Sequence, residues 1–187
     1  GDLTQSTGNA RDLINSVLSS LNSIVANSWN GYYNALYQVN NVISIVEDLP
    51  ESDLRNLIIG EAHYFRAYIY HSLVTRWGGV PIQRVNTMDK PFRDSEEAVW
   101  AFIEEELETA LAFLGTSSSC YYVSRDAALA LKARVMLERG KKTEAAALAE
   151  GLIKDGKYKL DSFDKIFRGK TNTEVIFSFQ CLAEESN

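Results

Sequence analysis

The sequence predicts a mostly α-helical protein: antiparallel helical hairpins of degenerate tetratricopeptide-like repeats (an α-α superhelix), with a few short strands near the C-terminus. Three observations carry this expectation. Apolar residues recur every three or four positions through most of the 187 residues. Most of these stripes are bracketed by a residue that can cap a helix and by a glycine or proline that stops one. Short turns join the helices two after two, which suggests an antiparallel helical stack.

The first stripe predicts a helix over 28–49. Trp29, Tyr33, Leu36 and Ile43 share one face, with Val39 and Val46 beside it. Pro50 disfavours helix in the residue before it and ends the run. The second helix starts at Ser52 or Asp53, either of which can cap it. Leu54, Ile58, Ala62, Phe65, Ile69, Leu73 and Trp77 form its stripe, and it spans about 38 Å at the usual helical rise. Gly78 stops it, because glycine accepts backbone angles that other residues avoid. Pro81 keeps the following segment extended.

Asp94 followed by Glu97 has the spacing of a capping box. It opens a third helix carrying Val99, Phe102, Ile103, Leu107, Ala110 and Leu114. The Ser-rich run 115–122, "GTSSSCYY", is a loop by composition. Ser124 can cap a fourth helix with Ala128, Leu131, Val135 and Met136, ending at Gly140. A fifth runs over about 143–155 with Ala145, Leu148, Ala149 and Leu152, and Gly156 ends it. A tetratricopeptide-like pattern can be laid over residues 129–157. Ala133, Gly140 and Ala145 fall there where small side chains let paired helices approach. The other helices do not repeat at the strict period of about 34 residues. Residues 174–179, "EVIFSF", are a strand candidate, and only 80–85 and 158–160 could pair with them.

Charge narrows the functional classes. The net charge is -6 with no basic block, which disfavours nucleic acid and anionic lipid as partners. Residues 13–46 carry no charge but hold seven Asn and six Ser. That composition lacks the run of about 20 apolar residues a membrane span needs. Gly1-Asp2-Leu3 has neither the basic nor the apolar region of a signal peptide. Cys120 and Cys181 define no disulfide framework, and their pairing stays open.

No catalytic constellation emerges. His63 and His71 lie roughly 12 Å apart along one helix, too far to share a metal. Glu104, Glu105, Glu106 and Glu108 point in different directions and read as a solvated face. Gly78-Gly79 is a helix stop with no phosphate-binding Lys after it. Cys120 has no adjacent cation to activate it. No cofactor, catalytic residue or metal ligand is expected.

The aromatics carry more chemistry. Trp29 and Tyr32 lie with Tyr33, Tyr37, Asn30 and four more Asn in the uncharged stretch. Sugar C–H faces pack on rings, and sugar hydroxyls bond amides and phenols. Trp29, Asn30 and Tyr32 are therefore candidate ligand-binding residues. Tyr121 and Tyr122, in the loop, are a second candidate pair. Packing between helices is the competing role for all of these rings.

The stretch 60–82, "GEAHYFRAYIYHSLVTRWGGVPI", resembles the signature helix of the SusD/RagB family. Glu61, Ala62, Phe65, Arg66, Ala67, Tyr68, Trp77, Gly78, Gly79, Val80 and Pro81 carry the likeness. Four further stretches agree in the family's order: 29–43, 92–111, 123–153 and the closing "FRGKTNTEVIFSF" preceded by "YKL". The resemblance implies an outer-membrane lipoprotein on the extracellular face of a Gram-negative bacterium. Such a protein binds oligosaccharide or another nutrient without catalysis and delivers it to a TonB-dependent transporter of the SusC type. It implies that 1–187 form one N-terminal helical domain of a longer protein, with the lipid anchor outside this chain. A tetratricopeptide-like scaffold that docks on the transporter, with no glycan site of its own here, is the alternative reading.

Overall fold

A computed structural model describes residues 8–180 apart from 18, 20, 118 and 169–171. Its order is α1 (Asn9–Ile14), α2 (Ser23–Glu47), α3 (Asp53–Trp77), α4 (Glu96–Phe113), α5 (Arg125–Glu138), α6 (Lys142–Lys154) and α7 (Phe163–Arg168). Helix α3 packs between α2 and α4, and α5 pairs with α6 while resting on α4. Successive helices run antiparallel. Arg55, at the start of α3, donates to the carbonyls of Val46 and Glu47 at the end of α2. At the opposite end, Trp29 of α2 meets Trp77 of α3. This hairpin stack is compatible with tetratricopeptide-like repeats.

The caps explain the boundaries. Helix α2 begins at Ser23, five residues before its predicted start, because Asn22 accepts from the amides of Ile24 and Val25. Ser52 caps α3 through Arg55 N, and Ser124 caps α5 through Ala127 N. Helix α4 departs from its predicted cap. Ser95 accepts from Ala98 N, whereas the Asp94 carboxylate accepts from Ile82 N at 2.8 Å. Asp94 thus ties the chain after α3 to the start of α4. Gly78, Gly140 and Gly156 end their helices with φ of 68°, 75° and 69°, angles that glycine tolerates without strain.

The core runs along α3 and α4, with Tyr70, Leu73, Phe102, Ile103 and Leu107 all at 2 % exposure or less. At its centre lies a charged cluster. Arg66 donates to both oxygens of Glu106, at 2.6 and 2.8 Å. His63 Nδ1 lies 2.8 Å from the same carboxylate. Arg66 also donates to Asn40 Oδ1 and to the Arg84 carbonyl, joining α2, α3, α4 and the 82–86 segment. Burial pushes the Glu106 carboxyl up, but the hydrogen bonds from His63 and Arg66 outweigh it and hold the group below its ordinary range. The expected solvated face therefore breaks at Glu106, which is 2 % exposed. The other three carboxylates fan outward to Lys141, Arg84 and Lys132.

The expected strand at 174–179 forms no ladder, and no strand occurs among the described residues. The segment lies along α3 and is held mainly by its rings. Phe177 meets Tyr64 and Phe65, and Phe179 meets Phe65 and Tyr68, at centroid distances of 5.6 to 6.2 Å. One main-chain bond, Ser178 N to the Cys120 carbonyl, pins it to the 119–122 loop. Two further bonds join Thr173 to Lys159. A strand needs a continuous partner edge, and none of these neighbours supplies one. Cys181 lies outside the described residues.

Candidate functional site

The predicted aromatic residues form two separate groups. At one end of the hairpin formed by α2 and α3, Trp29 packs edge-on against Trp77 with centroids 5.4 Å apart. It also packs tilted against Tyr33 at 4.9 Å. Tyr32 meets Trp77 edge-on at 6.1 Å, and the Arg76 guanidinium lies 5.5 Å from the Tyr32 ring centre. An open recess of about 390 Å³ is bordered by Trp29, Trp77, Gly79, Pro81, Pro91 and Arg93. Trp29 and Tyr32 are half-buried, so each ring serves packing and keeps part of its surface in solvent. Asn30 is exposed and does not line the recess.

The order of this end comes from the chain after α3. Arg93 donates to the carbonyls of Gly79 and Trp77. Tyr33 and Tyr70 both donate to the Pro81 carbonyl, and Tyr70 Oη in turn accepts from Gln83 N. Burial pushes the Tyr33 phenol well above its ordinary value and the Tyr70 phenol up to about 12. Both therefore stay neutral donors at any physiological pH.

The second group lies about 20 Å away along α3, measured from Tyr64, where Phe177 packs, to Trp77. Here the 115–124 loop faces the chain after α6. An open groove of about 300 Å³ is lined by Ser119, Cys120, Tyr121, Lys157, Tyr158 and Asn172, among others. Tyr121 is 42 % exposed. Tyr122 is 66 % exposed and lies outside the groove lining. The loop is shaped by its serines: Ser119 Oγ accepts from Tyr121 N, and Ser117 Oγ accepts from Ser119 N.

Opposite Tyr121, one carboxylate organises the wall. Asp126 Oδ2 accepts from Lys157 Nζ at 2.7 Å and from Tyr158 Oη at 2.8 Å. Burial raises the Asp126 carboxyl, but these two bonds prevail and keep it below its usual range. The bond to Asp126 holds the Lys157 ammonium above its own ordinary value. Asn172 fixes the third side, its Oδ1 accepting from Glu174 N and Val175 N.

Sequence reasoning found Tyr121 but not Lys157, Tyr158, Asn172 or Asp126. Tyr158 falls in the 158–160 strand candidate, and no spacing rule links it or Lys157 to a loop about 36 residues upstream.

The carboxylates of α4 are committed to partners. Glu104 accepts from Lys141 at 2.8 Å and also pairs with Arg139, and Glu105 forms a bidentate pair with Arg84 at 2.7 Å. Among the described residues no helix is long and apolar enough to cross a membrane.

Comparison with known proteins places this geometry. The profile of a SusD-like family described as "Starch-binding associating with outer membrane" matches residues 3–137. The SusD-like protein P38 of Formosa agariphila is 29% identical over 164 residues, 84% of this chain and 32% of that protein. A SusD superfamily protein from Bacteroides vulgatus superposes with a TM-score of 0.87 at 22% identity, over 94% of this chain and 40% of that one. A structure determined with a xylogluco-oligosaccharide superposes with a TM-score of 0.86 at 25% identity, over 95% of this chain and 39% of that one. The chain thus spans about a third of the curated relative and two fifths of these structures. With the family profile covering most of its length and the same helical stack in solved relatives, the chain belongs to the SusD-like family.

Proposed function

We propose that this chain is the helical part of a non-catalytic outer-membrane protein that binds oligosaccharide and delivers it to a TonB-dependent transporter of the SusC type. A lipid anchor outside these residues holds the protein on the extracellular face. The observation that carries the reading is the family match over residues 3–137. The superposition on a protein solved with a xylogluco-oligosaccharide supports a saccharide as the ligand class. The chemistry agrees: the half-exposed rings of Trp29 and Tyr32, and Tyr121 in its groove, offer stacking surface beside hydroxyls and amides. Glycoside hydrolysis needs two carboxyl groups facing each other across the bond to be cut. Glu104, Glu105, Glu106 and Asp126 are instead held by cations.

Affinity electrophoresis of the full-length protein against a polysaccharide panel tests the reading, alongside pull-down from outer membranes. Retardation by at least one glycan and recovery of a β-barrel transporter are expected. Binding of peptides with no glycan retarded would overturn it.

One feature favours the scaffold reading as a companion. Val42 and Ile45 near the end of α2, Leu49 in the turn after it, and Leu54 and Leu57 at the start of α3 are 39 to 66 % exposed. They leave an apolar margin where the first hairpin turns, and such surface suits protein contact.

A further inference from the structure

We propose that the groove between the 119–121 loop and residues 157–158 and 172 is a subsite for neutral saccharide, and that Asp126 enforces neutrality by occupying Lys157. This rests on the carbohydrate-binding reading above and adds a location and a selection rule to it.

The location follows from what lines the groove. Tyr121 contributes a ring that is 42 % exposed, although its main chain is fixed through Ser119. Tyr158 contributes a second, half-buried ring whose hydroxyl is committed to Asp126. Ser119 supplies a hydroxyl, and Asn172 lines the groove with an amide whose oxygen accepts from the main chain. Rings for sugar C–H faces, with amide and hydroxyl groups at the margin, suit a pyranose. The groove's three walls come from distant parts of the chain, and the main-chain bond from Ser178 to Cys120 holds two of them together.

The selection rule follows from charge. Lys157 is the charged side chain lining the groove. A free ammonium there would recruit uronate or sulfate groups through charge-assisted hydrogen bonds. It is instead paired with Asp126 at 2.7 Å and lies 5.2 Å from the Tyr158 ring centre. An incoming anion would have to displace that carboxylate or sit beside it. The net charge of -6 adds repulsion at longer range.

Affinity gels made with xyloglucan, laminarin or starch as neutral probes, and with polygalacturonate as the anionic one, test this on the full-length protein. Wild type should be retarded by a neutral gel and not by polygalacturonate. Tyr121→Ala should weaken the neutral interaction about tenfold, the loss of one well-packed aromatic contact. Asp126→Asn should gain retardation by polygalacturonate, with far-UV circular dichroism confirming the helices. Neutral binding untouched by Tyr121→Ala would remove the groove as the subsite and leave the family function standing. Polygalacturonate binding by wild type at equal strength would overturn the selection rule. A fluorescently labelled peptide library that binds in the groove in place of any glycan would overturn both.

Discussion

Glu106 is where a single residue does most to hold the molecule together. It accepts both prongs of Arg66 and a hydrogen bond from His63 while 2 % exposed. Breaking one side of such a pair leaves a buried charge without compensation. Glu106→Gln should therefore cost about 3–5 kcal/mol, read as a fall in the urea midpoint with little change in slope. Glu105→Gln, one residue away, removes an exposed pair with Arg84 and should cost no more than about 1 kcal/mol. Equal losses in the two variants would refute the central role of the buried cluster. The same residue shapes the acid limb. Because Glu106 is held below its ordinary range in the folded state, the unfolded chain takes up its proton first as pH falls. The stability it contributes is complete above the ordinary carboxylate range and drains as pH drops through the folded-state value. Glu106→Gln should flatten that part of the stability profile.

At the scale of elements, the turn after α3 fixes how three helices meet. A Cβ on Gly79 would lie 2.2 Å from the Asp94 carbonyl oxygen and 3.0 Å from Glu96 N, both main-chain atoms that cannot rotate away. Gly79→Ala should cost at least about 2 kcal/mol through forced displacement of the α4 start. Gly151 lies inside α6, where an added Cβ would meet nothing within 4 Å. Gly151→Ala should stabilise by about 0.4–1 kcal/mol, since alanine restricts the unfolded chain and favours helix. Thermal melts of the two variants should move in opposite directions; shifts of the same sign would contradict this packing of the turn. These helices were largely legible beforehand, because a periodic apolar stripe closed by a cap and a glycine is a local signal. Ser52, Ser124, Gly78 and Gly140 act as the sequence implies. Asp94 did not, because its better partner was Ile82 N, which only the folded turn brings near. Residues 174–179 have strand composition, yet composition cannot show whether an edge is available. The groove escaped for the same reason: Tyr121, Asp126, Tyr158 and Asn172 meet only through tertiary folding.

At the scale of the whole molecule, a stack of antiparallel hairpins holds two aromatic surfaces about 20 Å apart on one rigid spine, α3. The buried charges and rings stiffen the spine, with Trp29 and Tyr32 against its last residue, Trp77, and Phe177 against Tyr64 near its middle. The carboxylates Glu104, Glu105, Glu106 and Glu108 of α4 are all paired with cations, as the proposed capture without catalysis requires. The family resemblance was legible in the ordered motifs, most clearly in the Trp77-Gly78-Gly79-Val80-Pro81 stop. The ligand-contacting side chains were less so, because a ring that packs and a ring that binds share one sequence signature. The central claim is capture without turnover. Its most direct test is calorimetry of the full-length protein with a polysaccharide it retains, followed by chain-length analysis of the saccharide after prolonged incubation. Saturable heat with an unchanged length distribution is the predicted result. Shortened chains, or no heat with any glycan, would contradict it.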